Sequence, residues 1–109
     1  MRRFDFLFIR QKNHIFKVPH NDICCIRSEG NYCHVITSNQ TYSFKSSLSK
    51  LMETLPKPEF VQVNRNYVIP IKTIDQINLS ENMVLTGKES FQIGGRYRDQ
   101  LFDSMKVLP

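Results

Sequence analysis

Between Phe60 and Ile77 the chain is apolar at Phe60, Val61, Val63, Tyr67, Val68, Ile69, Ile71, Ile74 and Ile77, and only Asn64, Arg65 and Asn66 break the run for three residues together. β-Branched residues dominate both flanks, which predicts extended chain on either side of the break. Nothing in the pattern would pair a buried Arg set between two Asn, and an unpaired buried charge is very costly. The triplet is therefore expected at an exposed bend held by a rigid apolar frame, which is how binding residues are commonly presented. An ordinary solvated turn would satisfy the same pattern.

Length allows one domain over residues 1–109, with enough surface to bury for a single core. The 40% hydrophobic share and eight Phe suit a globular protein. No apolar run approaches the ~20 residues that span a bilayer. The start, M-R-R-F-D-F-L-F-I-R, turns from basic to apolar like a secretory signal, but Asp5, Arg10 and the lack of a small-residue cleavage site argue against one. Fifteen Lys and Arg against ten Asp and Glu leave a net charge of +5, which favours polyanionic partners, nucleic acid above all. Only Arg2-Arg3 are adjacent, so a phosphate-binding surface must be assembled by folding. Three cysteines, two of them neighbours at Cys24 and Cys25, suit neither a disulfide framework nor one metal site, since neighbours on a strand point to opposite faces. A reduced, cytoplasmic setting is the expectation.

Taken in order, Phe4 to Ile9 alternates as a strand covered on both sides, with Phe4, Phe6 and Phe8 on one face. His14 to Val18 completes a hairpin through a three- or four-residue loop. Asn21 or Asp22 is expected to cap a helical turn after Pro19. Strands Ile23–Arg27 and Tyr32–Thr37 flank a turn whose Gly30 and Asn31 tolerate positive φ, placing Asn31 at or beside a tip. Thr41 to Lys45 is a further strand. Leu48, Leu51, Met52 and Leu55 recur at helical spacing after a Ser46 or Ser47 cap, and Pro56 stops that helix. Met83–Thr86 and Ser90–Ile93 form a last hairpin around Gly87-Lys88-Glu89. Gly94-Gly95 then opens a helix from about residue 96 to 106, with Tyr97, Leu101, Phe102 and Met105 inward. Arg96 and Arg98 in its first turn oppose the helix dipole at about 0.3–1 kcal/mol, which Asp99 offsets in part; a phosphate or base edge would offset the rest, and a solvated Arg bearing the small penalty satisfies the same pattern.

Chemistry of other kinds leaves no trace. There is no nucleophile elbow, Walker loop or dinucleotide fingerprint, so no enzyme is expected, and no cofactor. His20, Cys24, Cys25, Cys33 and His34 lie close in sequence, but their spacing matches no zinc pattern; core cysteines and surface histidines are the reading, with no metal site. Zinc fingers, the RNP1 octapeptide and helix-turn-helix pairs are also absent.

Four segments together resemble one family, the LytTR DNA-binding domain of bacterial response regulators. Ile23 to Tyr32 (I-C-C-I-R-S-E-G-N-Y) is similar to its I-x-x-I-E-A-x-G-N-Y strand and turn. Leu48, Leu51 and Leu55 follow its L-x-x-L-x-x-x-L helix. Phe60 to Ile69 (F-V-Q-V-N-R-N-Y-V-I) resembles F-x-R-V-H-R-S-Y-L-V. Ile93-Gly94-Gly95-Arg96-Tyr97 with Leu101 resembles the closing I-S-R-R-Y-x-x-x-L. The resemblance covers roughly residues 15 to 105. Asn64 stands where the family usually has His, Asn66 where Ser is common, Pro70 in place of Asn, and Gly94 and Gly95 in place of Ser and Arg. These departures bear on sequence preference.

The resemblance implies a mainly β, elongated β-β-β sandwich of small antiparallel sheets, with short helices at about 47–55 and 96–106. It implies sequence-specific binding of double-stranded DNA as the output domain of a transcriptional regulator, read by loops in successive grooves with bending of the duplex. By motif position, Asn31, Arg65 and Arg96 would touch bases, and Lys45, Ser46, Asn64, Asn66, Tyr67 and Arg98 the DNA backbone. Expected partners are double-stranded DNA, with a receiver domain or a second copy on repeated sites beside it; no membrane and no small-molecule substrate are expected. A protein-interaction module and a single-stranded nucleic-acid binder stacking bases on Tyr32 and Tyr42 are the rival readings.

Overall fold

The computed structural model describes residues 5–87 and 89–109. Phe4, the Arg2-Arg3 pair and Lys88 of the last expected turn lie outside the described residues. The first hairpin consists of β1 (Phe6–Gln11) and β2 (His14–Pro19), which pair only with each other. Their connection is two residues long, shorter than expected, because Lys12 takes a positive φ of 57° and turns the chain at once. A 3-10 turn at His20–Asp22 follows; Pro19 stands at its cap position with no side-chain hydrogen bond, so neither Asn21 nor Asp22 caps it.

β3 (Ile23–Glu29), β4 (Tyr32–Thr37), β5 (Thr41–Lys45), β6 (Phe60–Asn64) and β7 (Tyr67–Pro70) make the central sheet, ordered β5-β4-β3-β7-β6 and antiparallel throughout. Helix α1 (Leu48–Thr54) leaves it from β5. The Ser47 hydroxyl accepts from Lys50 N at 3.2 Å, which makes it the cap, and the chain turns extended at Leu55 before Pro56. β8 (Ile74–Asn78), β9 (Met83–Thr86) and β10 (Ser90–Gln92) form a third sheet. The C-terminal helix is shorter than the periodicity predicts: Gly95–Tyr97 is a 3-10 turn, and only α2 (Arg98–Asp103) is α-helical. Tyr97, at φ −107° and ψ −5°, stands where the 3-10 turn gives way to α2. Ser104 Oγ donates to Leu101 O at 2.6 Å at the far end, a local bond that competes with continued helix.

Period-two alternation in the central strands builds two cores where chain length predicts one, because both faces of the central sheet are covered by other elements. Ile26, Cys33, Val35, Phe60 and Val68 face the hairpin and α1, meeting Ile9, Val18, Leu48, Leu51 and Leu55. Cys25, Val61, Val63 and Ile69 face the other way, meeting Val84, Phe91, Ile93 and Leu101. The result is three stacked layers with extents of 49 × 34 × 25 Å, the elongated β sandwich expected. Leu101 and Val63 are fully enclosed, so truncating Leu101 to Ala would cost about 2–5 kcal/mol.

Three expectations need correcting. Strand β1 is covered on one side only: Ile9 is buried while Phe8 is 66% exposed, because no layer lies beyond the hairpin among the described residues. His20 is buried, not on the surface; its ring meets Phe60 edge-on at 5.4 Å, and its Nδ1 lies 3.3 Å from Glu59 Oε2. Cys24 is exposed, whereas Cys25 and Cys33 are core residues. Burial, with a smaller contribution from the Glu89 charge, pushes the Cys25 thiol up to about 11, so it remains a neutral packing group.

Candidate nucleic-acid interface

The interruption at Asn64-Arg65-Asn66 becomes a tight turn between β6 and β7, with Arg65 and Asn66 exposed. Val63, Val68 and Ile69 beside it are fully or almost fully buried, so the guanidinium stands on a fixed base. Asn64 holds the turn from within. Its Oδ1 accepts from Asn66 N at 2.8 Å, and its Nδ2 donates to Gln92 O at 2.7 Å. The first bond closes a local Asx turn; the second ties the turn to β10, 28 residues on. Gly94 N donates to Val63 O at 2.9 Å, bringing the segment that carries Arg96 against the same strand end. A Cβ on Gly94 would lie 3.1 Å from Tyr97 Cδ2 and 3.4 Å from Asn64 Cα, so this close approach needs glycine for space.

On the other side of the turn, Ser28 N donates to Asn66 O at 2.8 Å, and Ser28 Oγ reaches Asn66 Oδ1 at 3.4 Å. Ser28 sits on β3, next to the turn that carries Asn31. Gly30 adopts φ +59°, which a non-glycine residue reaches only with strain, and Asn31 follows it exposed at the tip. Ser46 N donates to Asn31 O at 3.0 Å, linking that tip to the start of α1. Three regions remote in sequence are thus joined by backbone bonds. Between them lies a cleft of about 600 Å³ lined by Ser28, Gly30, Ser46, Ser47, Arg65 and Tyr97, among others. Asn31 and Arg96, both exposed, are the immediate neighbours of two lining residues, Gly30 and Tyr97.

The remaining expected contacts differ in how free they are. Lys45 is exposed at the end of β5, with no ion pair among the described residues. Ser46 Oγ donates to Ser47 O at 3.1 Å. Tyr67 is half-buried, its ring 5.1 Å from Phe91. Arg98 is half-buried with its guanidinium carbon 5.2 Å from the Phe102 ring centre, so its stem is held and its head is oriented. Ser47, Ser49 and Gln62 also line the cleft and are not among the expected contacts; Ser46, Ser47 and Ser49 around the helix start are the available signal. One carboxylate intrudes. Glu29 Oε1 lies 3.0 Å from His34 Nε2 and 3.3 Å from Arg27 Nη1, which turns its charge toward β3 and β4.

No three-residue His, Cys, Asp or Glu cluster among the described residues could hold a metal ion, and no helix there is long and apolar enough to cross a membrane. A family model described as the LytTr DNA-binding domain matches residues 13–106. A solved structure described as the LytTr DNA-binding domain of a methyl-accepting/DNA response regulator from Bacillus cereus superposes with a TM-score of 0.74 at 16% identity, covering 91% of this chain and 94% of that chain. At that identity the likeness is one of fold. No curated protein matches the chain.

Proposed function

Because the chain belongs to the LytTR DNA-binding domain family, we propose that it binds specific sites on double-stranded DNA as the output of a bacterial transcriptional regulator, reading bases with Asn31, Arg65 and Arg96. Asn suits adenine and Arg suits guanine through paired hydrogen bonds in the major groove. Asn31 and Arg96 take two successive major grooves. Arg65, between them, lies over the intervening minor groove, where an Arg senses width and potential. Lys45, Ser46, Asn66, Tyr67 and Arg98 meet phosphates and set register. Asn64 keeps one amide hydrogen for a phosphate while its other groups hold the turn.

The observation that carries this reading is that three distant turns, each offering an exposed polar side chain, are bonded backbone to backbone around one cleft. Size supports it too: successive major grooves on one face of a duplex are about 34 Å apart, within the 49 Å long axis. Contact with both grooves from one side bends the duplex, at a cost of order 1–6 kcal/mol. Reading by single-strand stacking is less well supported, since Tyr42 is half-buried with its ring 5.7 Å from Phe16.

The test is selection of a bound duplex from a random pool, followed by titration with that duplex and with its single strands. The reading expects strong duplex preference, steep weakening with salt, and loss of binding in the folded Arg65→Ala/Arg96→Ala variant. Full-strength duplex binding by that variant, or preference for a single strand, would defeat it.

A further inference from the structure

The outermost layer of the molecule is a two-stranded sheet with nothing packed on its far side among the described residues. Register places Phe6, Phe8, Arg10, Ile15, Lys17 and Pro19 together on that side, since directly opposed residues share a face. Phe8 is 66% and Ile15 68% exposed, while their neighbours Ile9 and Val18 on the inner side are buried. Exposed apolar side chains scattered singly are ordinary; two large ones on one small sheet, beside Phe6, form a patch. The charges on it have one sign. Lys17 Nζ stands 4.0 Å from the Phe6 ring centre, and Arg10 Nε donates to Lys12 O at 2.9 Å, holding that guanidinium at the turn. The face carries two cations and no carboxylate, and neither cation has an ion-pair partner among the described residues. None of the residues lining the cleft between the reading turns belongs to this hairpin.

We propose that this face docks a short protein segment in which apolar side chains alternate with carboxylates. Two features select that occupant over a second copy of the chain. Strands of this length run about 20 Å, and two of them span about 10 Å, so the face offers roughly 200 Å², well short of the ~800 Å² per partner of a stable association between folded domains. Two copies would also set like charges against each other, and Lys and Pro on a sheet rim are the usual means of preventing self-pairing. An acidic, apolar segment meets neither obstacle: its carboxylates answer Arg10 and Lys17, and its apolar groups cover Phe8 and Ile15. Alongside Phe8, a groove lined by Leu7, Phe44, Leu51 and Thr54 continues the apolar surface toward α1. The inference is independent of DNA reading, and it gives a DNA-binding domain a separate surface through which another protein could be engaged.

The experiment titrates the isotope-labelled full chain with a synthetic peptide alternating Glu with Leu and Phe, and with two controls, one carrying Lys for Glu and one with the apolar residues replaced by Ser. Amide shifts centred on residues 6–19 and extending at most to the groove at Phe44, Leu51 and Thr54, with affinity lower by at least about tenfold for each control, are the expected result. Phe8→Ser/Ile15→Ser should abolish binding while leaving duplex affinity unchanged. Arg10→Glu/Lys17→Glu, which leaves the apolar groups in place, should transfer the preference to the Lys peptide. Failure of the acidic peptide to bind, equal binding of either control, or shifts centred on Asn31 and Arg65 would overturn the proposal. So would concentration-dependent dimers of the free chain that Phe8→Ser/Ile15→Ser dissolves.

Discussion

Arg65 and Asn31 both sit on short turns at strand ends, yet the two turns are built on opposite principles. The Arg65 turn is bound from three directions: Asn66 is held by Asn64 and by Ser28, and Asn64 reaches across to Gln92. The Asn31 turn has one outside bond, from Ser46 N, and open space where a side chain on Gly30 would go. The first holds its side chain by contacts made far along the chain, the second by local backbone conformation. On the reading proposed above, a duplex would meet a stiff central element and a more adaptable outer one. Under that arrangement the central turn would be the fixed point of the complex, and the Asn31 turn would follow local variation in groove shape.

The contrast is sharpest at Asn64. Asn64→Ala removes two hydrogen bonds that hold the turn, so it should lower stability by about 1–3 kcal/mol and weaken duplex binding through misplacement of Arg65. Asn31→Ala should change stability by no more than about 0.5 kcal/mol while relaxing discrimination at one base pair. Urea denaturation beside competition binding measures both; equal stability losses would break the comparison.

The two glycines separate the same principles at comparable amplitude. Gly94→Ala crowds Tyr97 and the Asn64 backbone, an overpacking cost of about 1–3 kcal/mol. Gly30→Ala meets no atom but must hold positive φ, at roughly 1–2 kcal/mol. Asn tolerates that conformation better than Ala does, so Gly30→Asn should recover stability where Gly94→Asn does not. Thermal unfolding of the four variants checks this, and rescue by Asn at both positions would show that space is not what Gly94 supplies.

Smallest of all is Glu29→Gln. It removes an exposed negative charge next to the Asn31 turn and should raise duplex affinity by a few-fold at low salt, with the gain fading as salt screens it. Affinity measured at two ionic strengths decides the matter; a loss of affinity would mean that Glu29 acts by orienting Arg27 and His34.

Much of this arrangement is legible in the amino-acid order, for identifiable reasons. The Asn64-Arg65-Asn66 turn is readable because a charge between two amides cannot be buried inside β-branched strands. The Gly30-Asn31 tip is readable because few residues accept positive φ. What escapes is whatever depends on a distant partner. Asn64 reads as a surface amide until Gln92 arrives beside it from 28 positions away. Alternation in β1 shows that two faces exist but not that only one is covered, so the exposure of Phe8 is invisible in the order of residues. The last helix is overestimated because Leu101 and Met105 keep helical spacing, whereas the α-helix ends at Asp103 and Ser104 N and Met105 N donate only three residues back, to Leu101 O and Phe102 O.

Hydroxyl-radical cleavage of the selected duplex in complex with the chain tests the central claim most directly. The account predicts protected backbone in two patches about one helical turn apart on one face of the duplex, with the patch nearer Arg96 weakened by Arg96→Ala and the other unchanged. A single protected patch, or protection wrapping every face of the duplex, would contradict it.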